Sequence, residues 1–283
     1  MKSTAGIPIR LAISTCPNDT FAFHALLTRQ VDWRGLDFQI ELLDIQQLNG
    51  RLLAGDFDVA KASFYAALLL ARRCVVLPSG SALGFGVGPL LLAARPAEQP
   101  QHAGQVVLCP GPQTTAALLF RLFYAETATI RHVVFSDIMP ALQQRQADFG
   151  VCIHEGRFTW QQQHLALVED LGTRWEQTTG CPLPLGGIIA RNDLPVEVIA
   201  AVQATVADSI AFALADRQAP LVTMRQHAQE LADEVLMSHV DLYVNRWTEE
   251  LGPTGAAALA ALSARASSVG LLEPQTKLEI FQQ

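Results

Sequence analysis

The sequence predicts an α/β protein of two lobes, each built on a parallel sheet, with a ligand cleft between them. Three observations lead there. Short apolar runs alternate with helix-patterned segments, the signature of βαβ units. The alternation occurs twice, at residues 10–63 and 106–153. Two more apolar runs, each ending in Ala-Arg, lie after the first series and after the second.

In the first series, Arg10-Leu-Ala-Ile-Ser14 reads as a strand. Thr15-Cys-Pro-Asn-Asp-Thr20 is dense in turn and cap residues, and Asn18 or Asp19 can cap a helix starting near Thr20. Residues 38–43 alternate as a second strand, Leu48, Leu52 and Leu53 fall at helical spacing, and residues 58–63 read as a third strand. In the second series, residues 106–109 form a strand, 110–113 a Pro/Gly loop and 114–123 a strong helix. Residues 132–135 read as a strand, Ile138 and Leu142 mark a helix, and 149–153 a strand ending at His154. A shift of ninety positions lays Leu48, Leu52 and Asp58 on Ile138, Leu142 and Asp148. Three matches are also within what two ordinary α/β segments share by chance.

Residues 90–95 and 186–191 are β-like and read as the two crossover strands of a hinge. From Pro195 onward the chain is mostly helical: Val198, Val202, Thr205 and Val206 continue an apolar face, and residues 231–243 form another helix. These helices are expected to pack back on the first lobe. The first lobe is then discontinuous (1–93 and 188–283), with the second (94–187) inserted into it.

Half of the 283 residues are hydrophobic and 17% are charged, which suits a sizeable core and excludes disorder. A net charge of −7 disfavours nucleic acid or an anionic membrane as partner. The cysteines (16, 74, 109, 152 and 181) are scattered without a Cys-x-x-Cys pair, so zinc spacing is missing and reduced thiols are expected. Residues 1–16 lack the apolar run of a secretory leader, and the apolar stretch 65–71 is too short to span a bilayer. The expectation is a cytoplasmic protein with a small-molecule partner.

Ligands of open parallel sheets bind beyond the carboxyl ends of the strands. Here those ends carry residues 14–20, Ser63, 110–115 and 154–157, which would line one crevice between facing lobes. Thr114 and Thr115 open a helix after a Gly-Pro loop, where free backbone N–H groups favour an anion such as a carboxylate. A plain Thr N-cap explains one of them without any ligand. His154 follows an apolar strand and precedes Glu155-Gly-Arg157; a neutral imidazole there can take a proton near pH 7, oriented by Glu155 or another carboxylate. The alternative is a histidine satisfied structurally at a strand end. Lys61 shares a strand face with Ser63 and needs a carboxylate partner, an anionic ligand or an exposed edge to which its stem snorkels. Gly84, Gly86 and Gly88 lack a dinucleotide fingerprint and read as a flexible loop into the hinge. His227 and His239, on polar helical segments without metal-ligand spacing, read as solvated surface.

Several segments together carry a resemblance. Ser14-Thr-Cys-Pro-Asn-Asp-Thr-Phe21, Ser81-Ala-Leu-Gly-Phe-Gly-Val-Gly-Pro89, Thr114-Thr115, Ile153-His-Glu-Gly-Arg-Phe-Thr159 and Gly180-Cys-Pro-Leu-Pro-Leu-Gly186 occur in that order. In order and spacing, over nearly the whole chain, they resemble the 1,4-dihydroxy-6-naphthoate synthase family of the futalosine route to menaquinone. Ser238-His-Val-Asp-Leu-Tyr-Val-Asn245 is similar to that family's C-terminal part. The first motif departs in carrying Thr15 where the family pattern has proline.

The resemblance implies a periplasmic-binding-protein-like (type II) fold and a lyase without metal or organic cofactor. Such a lyase converts cyclic de-hypoxanthine futalosine to 1,4-dihydroxy-6-naphthoate with release of a dihydroxyacetone fragment. It further implies that His154 is the proton acceptor, and that Lys61-Ala62-Ser63 and Thr114-Thr115 hold the carboxylate substrate from opposite lobes. Asn18, Asp19, Glu155 and Arg157 complete the expected substrate-binding set. The rival readings are a non-enzymatic small-acid binding protein, disfavoured by the missing leader, and chorismate dehydratase of the same pathway. The Cys16-Pro-Asn-Asp-Thr20 and Ile153-His-Glu-Gly-Arg-Phe158 segments point away from the latter. A transcriptional effector-binding domain fits neither the charge nor the start of the chain.

Overall fold

The computed structural model describes residues 6–154, 156–228 and 232–282. Its strands are β1 (Ile7–Ser14), β2 (Leu36–Leu43), β3 (Val59–Ser63), β4 (Cys74–Val76), β5 (Ala82–Gly84), β6 (Leu90–Ala93), β7 (Val106–Cys109), β8 (Thr129–His132), β9 (Phe149–Cys152), β10 (Ala166–Asp170), β11 (Leu183–Arg191) and β12 (Glu279–Ile280). They form two sheets. The first runs β12-β4-β11-β3-β1-β2, with β5 also on β11, and the second runs β10-β6-β9-β7-β8.

The faint internal repeat has a structural cause. β1 lies between β2 and β3 and is parallel to both, and β7 lies likewise between β8 and β9. Asp58 accepts from the Arg10 N–H through its carboxylate at 3.0 Å and donates its own N–H to the Arg10 carbonyl. Asp148 does the same to Val106, at 2.7 Å through the carboxylate. Each aspartate therefore ties the start of one strand to the point where its parallel neighbour begins to pair with it. Leu48 and Leu52, like Ile138 and Leu142, are the buried residues that seat the intervening helix on its sheet. The antiparallel return strand is repeated too. β11 pairs with β3 and β6 with β9, and the N–H groups of Arg191 and Ala94 donate to the carbonyls of Asp58 and Asp148.

The crossings between sheets fall earlier in the chain than predicted. Leu90–Ala93 pairs with β9 and β10 and so belongs to the second sheet, which puts the first crossing at residues 85–89 and not at 93. Leu183 and Pro184 already pair with β5, so the return precedes 183 and not 188. Two local expectations also shift. The first helix spans Pro17–Ala22 with Cys16 at its N-cap, so Asn18 and Asp19 lie inside its first turn and do not cap it. A proline at the first helical position suits this start, because its missing N–H would have had no helical partner. The strand expected at 132–135 is Thr129–His132, and Phe135 instead opens the next helix.

The first of the C-terminal helices packs on the first sheet. Val198, Ile199, Val202, Val206 and Ile210 of the helix Val196–Ala215 join Leu11, Ile13 and Val59 in one core. This 20-residue helix is long and apolar enough to cross a membrane by composition alone, with mean hydropathy 1.8, and half of it is buried within the fold. The helix Asp233–Tyr243 packs on Pro17–Ala22, which carries the C-terminal segment to the mouth of the cleft. The largest core cluster runs across both lobes, from Ala60 and Phe64 to Val107, Phe120 and Phe149.

Candidate active site

One cavity lies between the lobes, at the carboxyl ends of β1, β3 and β9 and at the start of the helix Thr115–Phe123. The first lobe contributes Ser14, Cys16, Asn18, Asp19, Lys61, Ala62 and Ser63 to its wall. The second contributes Thr114, Thr115 and His154. Of the ten residues predicted for the site, eight therefore meet in one place: His154, Lys61, Ala62, Ser63, Thr114, Thr115, Asn18 and Asp19. Glu155 lies outside the described residues.

Arg157 does not line this cavity. Its guanidinium donates to the Gly88 carbonyl at 2.5 Å and to Asp170 at 2.7 Å. Asp170 in turn caps the helix Leu171–Thr179 through the N–H groups of Gly172 and Thr173. Arg157 thus fastens the 85–89 crossing to a helix start, and a charge held by two acceptors in this way is spent on the fold. Gly88 is also more than a flexible joint. A Cβ at Gly88 would stand 2.2 Å from the Gly172 Cα, so the crossing and the helix touch backbone to backbone.

Lys61 meets a partner inside the protein. Its ammonium is 2.7 Å from Asp19 and donates to the Gly80 carbonyl at 3.1 Å, with both charged side chains almost fully buried. Asp19 also accepts from Ser14 Oγ at 2.5 Å and Asn18 Nδ2 at 3.0 Å. A carboxylate holding three donors satisfies its lone pairs, which is what a buried charge needs. The Lys61 charge is compensated before any ligand arrives, so the pair presents a polar, near-neutral wall. Ser63 is fixed in both directions by Asn49, whose amide donates to Ser63 Oγ at 2.9 Å and accepts from the Ser63 N–H at 3.1 Å.

On the opposite lobe the Thr114 hydroxyl caps its helix, accepting from Ala117 N at 3.2 Å and donating to the Gly111 carbonyl at 2.9 Å. The Thr115 hydroxyl donates to the Leu185 carbonyl at 2.8 Å. Both hydroxyls are engaged with backbone. What this helix offers a ligand is its first-turn N–H groups, at a terminus whose dipole favours an anion.

His154 stands on the turn after β9 with φ +55°, left-handed backbone that only a rigid surround keeps a non-glycine residue in. The Cys16 sulfur lies 3.4 and 3.5 Å from its two ring nitrogens, and Phe135 meets the ring edge-on at 4.8 Å. The His239 ring stacks over it at 5.9 Å. The imidazole is thereby held at the junction of both lobes and the C-terminal helix.

His239 is a correction to the sequence reading. It is 1% exposed, lines the cavity with Tyr243, and has no hydrogen-bond partner among the described residues at either ring nitrogen. Burial, and secondarily the neighbouring His154, push its pKa down to about 3. The signal was present: Leu236, His239, Val240 and Tyr243 recur at helical spacing and are the buried residues of their helix. Ser14 and Cys16, from the strand end expected at the crevice, line the cavity as well, and Tyr243 joins them without a sequence expectation. Cys109 does not reach it, and burial raises that thiol's pKa to about 12. Among the described residues no three His, Cys, Asp or Glu side chains cluster so as to hold a metal ion.

Residues 9–268 match the family described as menaquinone biosynthesis. A 1,4-dihydroxy-6-naphtoate synthase of Thermus thermophilus is 42% identical over 269 residues, covering 95% of this chain and 97% of the other. A protein of the same name from Streptomyces coelicolor is 39% identical over 270 residues, covering 93% and 94%. Among solved structures, protein AF1704 of Archaeoglobus fulgidus superposes with a TM-score of 0.88 at 30% identity, covering 96% of this chain and 100% of that one. The periplasmic aliphatic sulphonate binding protein SsuA of Escherichia coli superposes with a TM-score of 0.64 at 14% identity, covering 95% and 89%. The last likeness is one of fold: the predicted two-lobed, periplasmic-binding-protein-like architecture is the one observed.

Proposed function

The chain belongs to the menaquinone-biosynthesis family, and from that premise we propose that it is a 1,4-dihydroxy-6-naphthoate synthase. It acts as a carbon–carbon lyase that converts cyclic de-hypoxanthine futalosine to 1,4-dihydroxy-6-naphthoate and a dihydroxyacetone fragment. The observation that carries the activity is the near full-length match to two synthases of that name.

In this reading His154 is the general base. It removes a proton from the substrate, the carbon–carbon bond breaks, and formation of the aromatic naphthalene ring drives the step. The position of His154 supports the role, since it lines the cavity on a turn held by contacts from three directions. The first turn of the helix Thr115–Phe123 suits the substrate carboxylate, and the Lys61–Asp19 pair with Ser63 suits the polar groups at the other end. The protein is proposed to work in the cytoplasm as a small-molecule enzyme, in keeping with five free cysteines and a net acidic chain.

Incubating the purified protein with cyclic de-hypoxanthine futalosine and following the naphthoate by absorbance and mass tests the assignment. Catalytic product formation is expected. Stoichiometric binding of the substrate with no product would favour a binding protein on the same fold.

A further inference from the structure

The mechanism above leaves a second imidazole in the cleft unused. His239 is buried to 1% exposure, and neither of its nitrogens is hydrogen-bonded among the described residues. Its ring forms part of the cavity wall beside His154, and also of a smaller cavity behind Cys16. The rings of His154, Tyr243 and Phe158 surround it at 5.9, 4.7 and 5.8 Å. Buried polar atoms in folded proteins nearly always have partners. An imidazole walled by rings and orphaned on both nitrogens beside a ligand cavity is a group whose partner arrives with the ligand.

We propose that His239 is a substrate-binding residue: its ring donates an N–H to a substrate oxygen, hydroxyl or carbonyl, next to the carbon that His154 deprotonates. This rests on the synthase reading. The adjacency follows from the stacking, because two imidazoles 5.9 Å apart and 28° from parallel present their edges to neighbouring atoms of one ligand. Charge develops on such an oxygen as the proton leaves, and a donor already in place is worth most there. The surroundings keep the ring fit for the task. Burial holds it neutral, so it carries one N–H donor throughout and adds no second positive charge when His154 takes the proton.

The test compares wild type with His239→Phe and His239→Gln on cyclic de-hypoxanthine futalosine, each variant's fold checked by thermal melting. The Phe variant keeps the packing and loses the donor; kcat is expected to fall about 10²–10³-fold, the usual effect of removing one such donor. The Gln variant keeps a side-chain N–H and is expected to recover about tenfold or more of that loss. The shape of the kcat/KM profile against pH should stay unchanged in both. A Phe variant with wild-type kcat, or a Gln variant no better than Phe, overturns the proposal. The wild type offers a readout independent of either variant. In protein labelled with ¹⁵N-histidine, saturation with 1,4-dihydroxy-6-naphthoate should move the His239 ring N–H signal downfield, and an unmoved signal contradicts the contact. Wild-type protein without turnover would instead overturn the synthase reading and this inference with it. Active wild type with indifferent variants overturns only this inference.

Discussion

The buried charges of this cleft are held differently from its imidazoles, and the difference sets what each substitution should do. Lys61 and Asp19 compensate each other at 2.7 Å with both side chains almost fully buried. Removing one partner strands the other, a loss that costs about 3–5 kcal/mol where a buried pair is broken. Chemical denaturation should therefore show Lys61→Met strongly destabilised and the double variant Lys61→Met/Asp19→Asn recovering most of the loss. Equal instability of single and double variants would show that the pair is not the cause.

His239 makes an opposite kind of prediction. Its proton is taken up near pH 6.5 in an unfolded chain but only near pH 3 in the fold. Between those values the unfolded state binds more protons, so stability rises with pH and is lost on acidification. This residue contributes up to about 1.4 kcal/mol per pH unit in that window, and no slope above it, where both states are neutral. Unfolding free energies at pH 4 and 6.5 should differ less in His239→Phe than in wild type; identical differences would contradict the shifted ring. Most polar residues of the cavity were legible in the sequence because strand ends are where ligands bind and because His154, Lys61 and Thr114 sit at such ends. His239 was not, because its neighbours Ser238 and Asp241 make the segment look polar. Only the stripe Leu236, Val240 and Tyr243 shows that its own face turns inward.

At the scale of elements, the two βαβ series were readable from alternation alone, and the aspartates just before β3 and β9 account for their likeness. Each joins two parallel strands where the ladder starts, a job that a carboxylate and its own N–H perform together. Asp148→Ala should leave the Val106 N–H unpaired and cost about 1–3 kcal/mol in unfolding free energy. A loss below the error of the measurement would mean that water replaces the carboxylate freely. The crossing at 85–89 was harder to read. Glycines in a row suggest flexibility, yet Gly88 is chosen by contact, with Gly172 against it and Arg157 bonded to its carbonyl. Gly88→Ala should lower the melting temperature by several degrees, consistent with overpacking worth about 1–3 kcal/mol. An unchanged melting temperature would show that the helix Leu171–Thr179 can step aside. Arg157 shows a related effect: from sequence, an arginine three residues after His154 looks like a ligand group, and only the fold brings Asp170 to it.

As a whole, the molecule has the architecture of a solute-binding protein and the relatives of an enzyme. The fold supplies what binding needs: two lobes, a cavity at their strand ends, a helix start for an anion and a compensated charge pair. A binding cleft becomes a lyase only if a base stands in it, and the proposal gives that role to His154, which lines the cavity. The central claim therefore reduces to one comparison, wild type against His154→Ala, with turnover and calorimetric affinity for cyclic de-hypoxanthine futalosine measured on each. The account predicts turnover reduced about 10²–10⁴-fold, the range for loss of a general base, with affinity kept within about tenfold, which is to say a binding protein recovered from an enzyme. Full turnover by His154→Ala would contradict it.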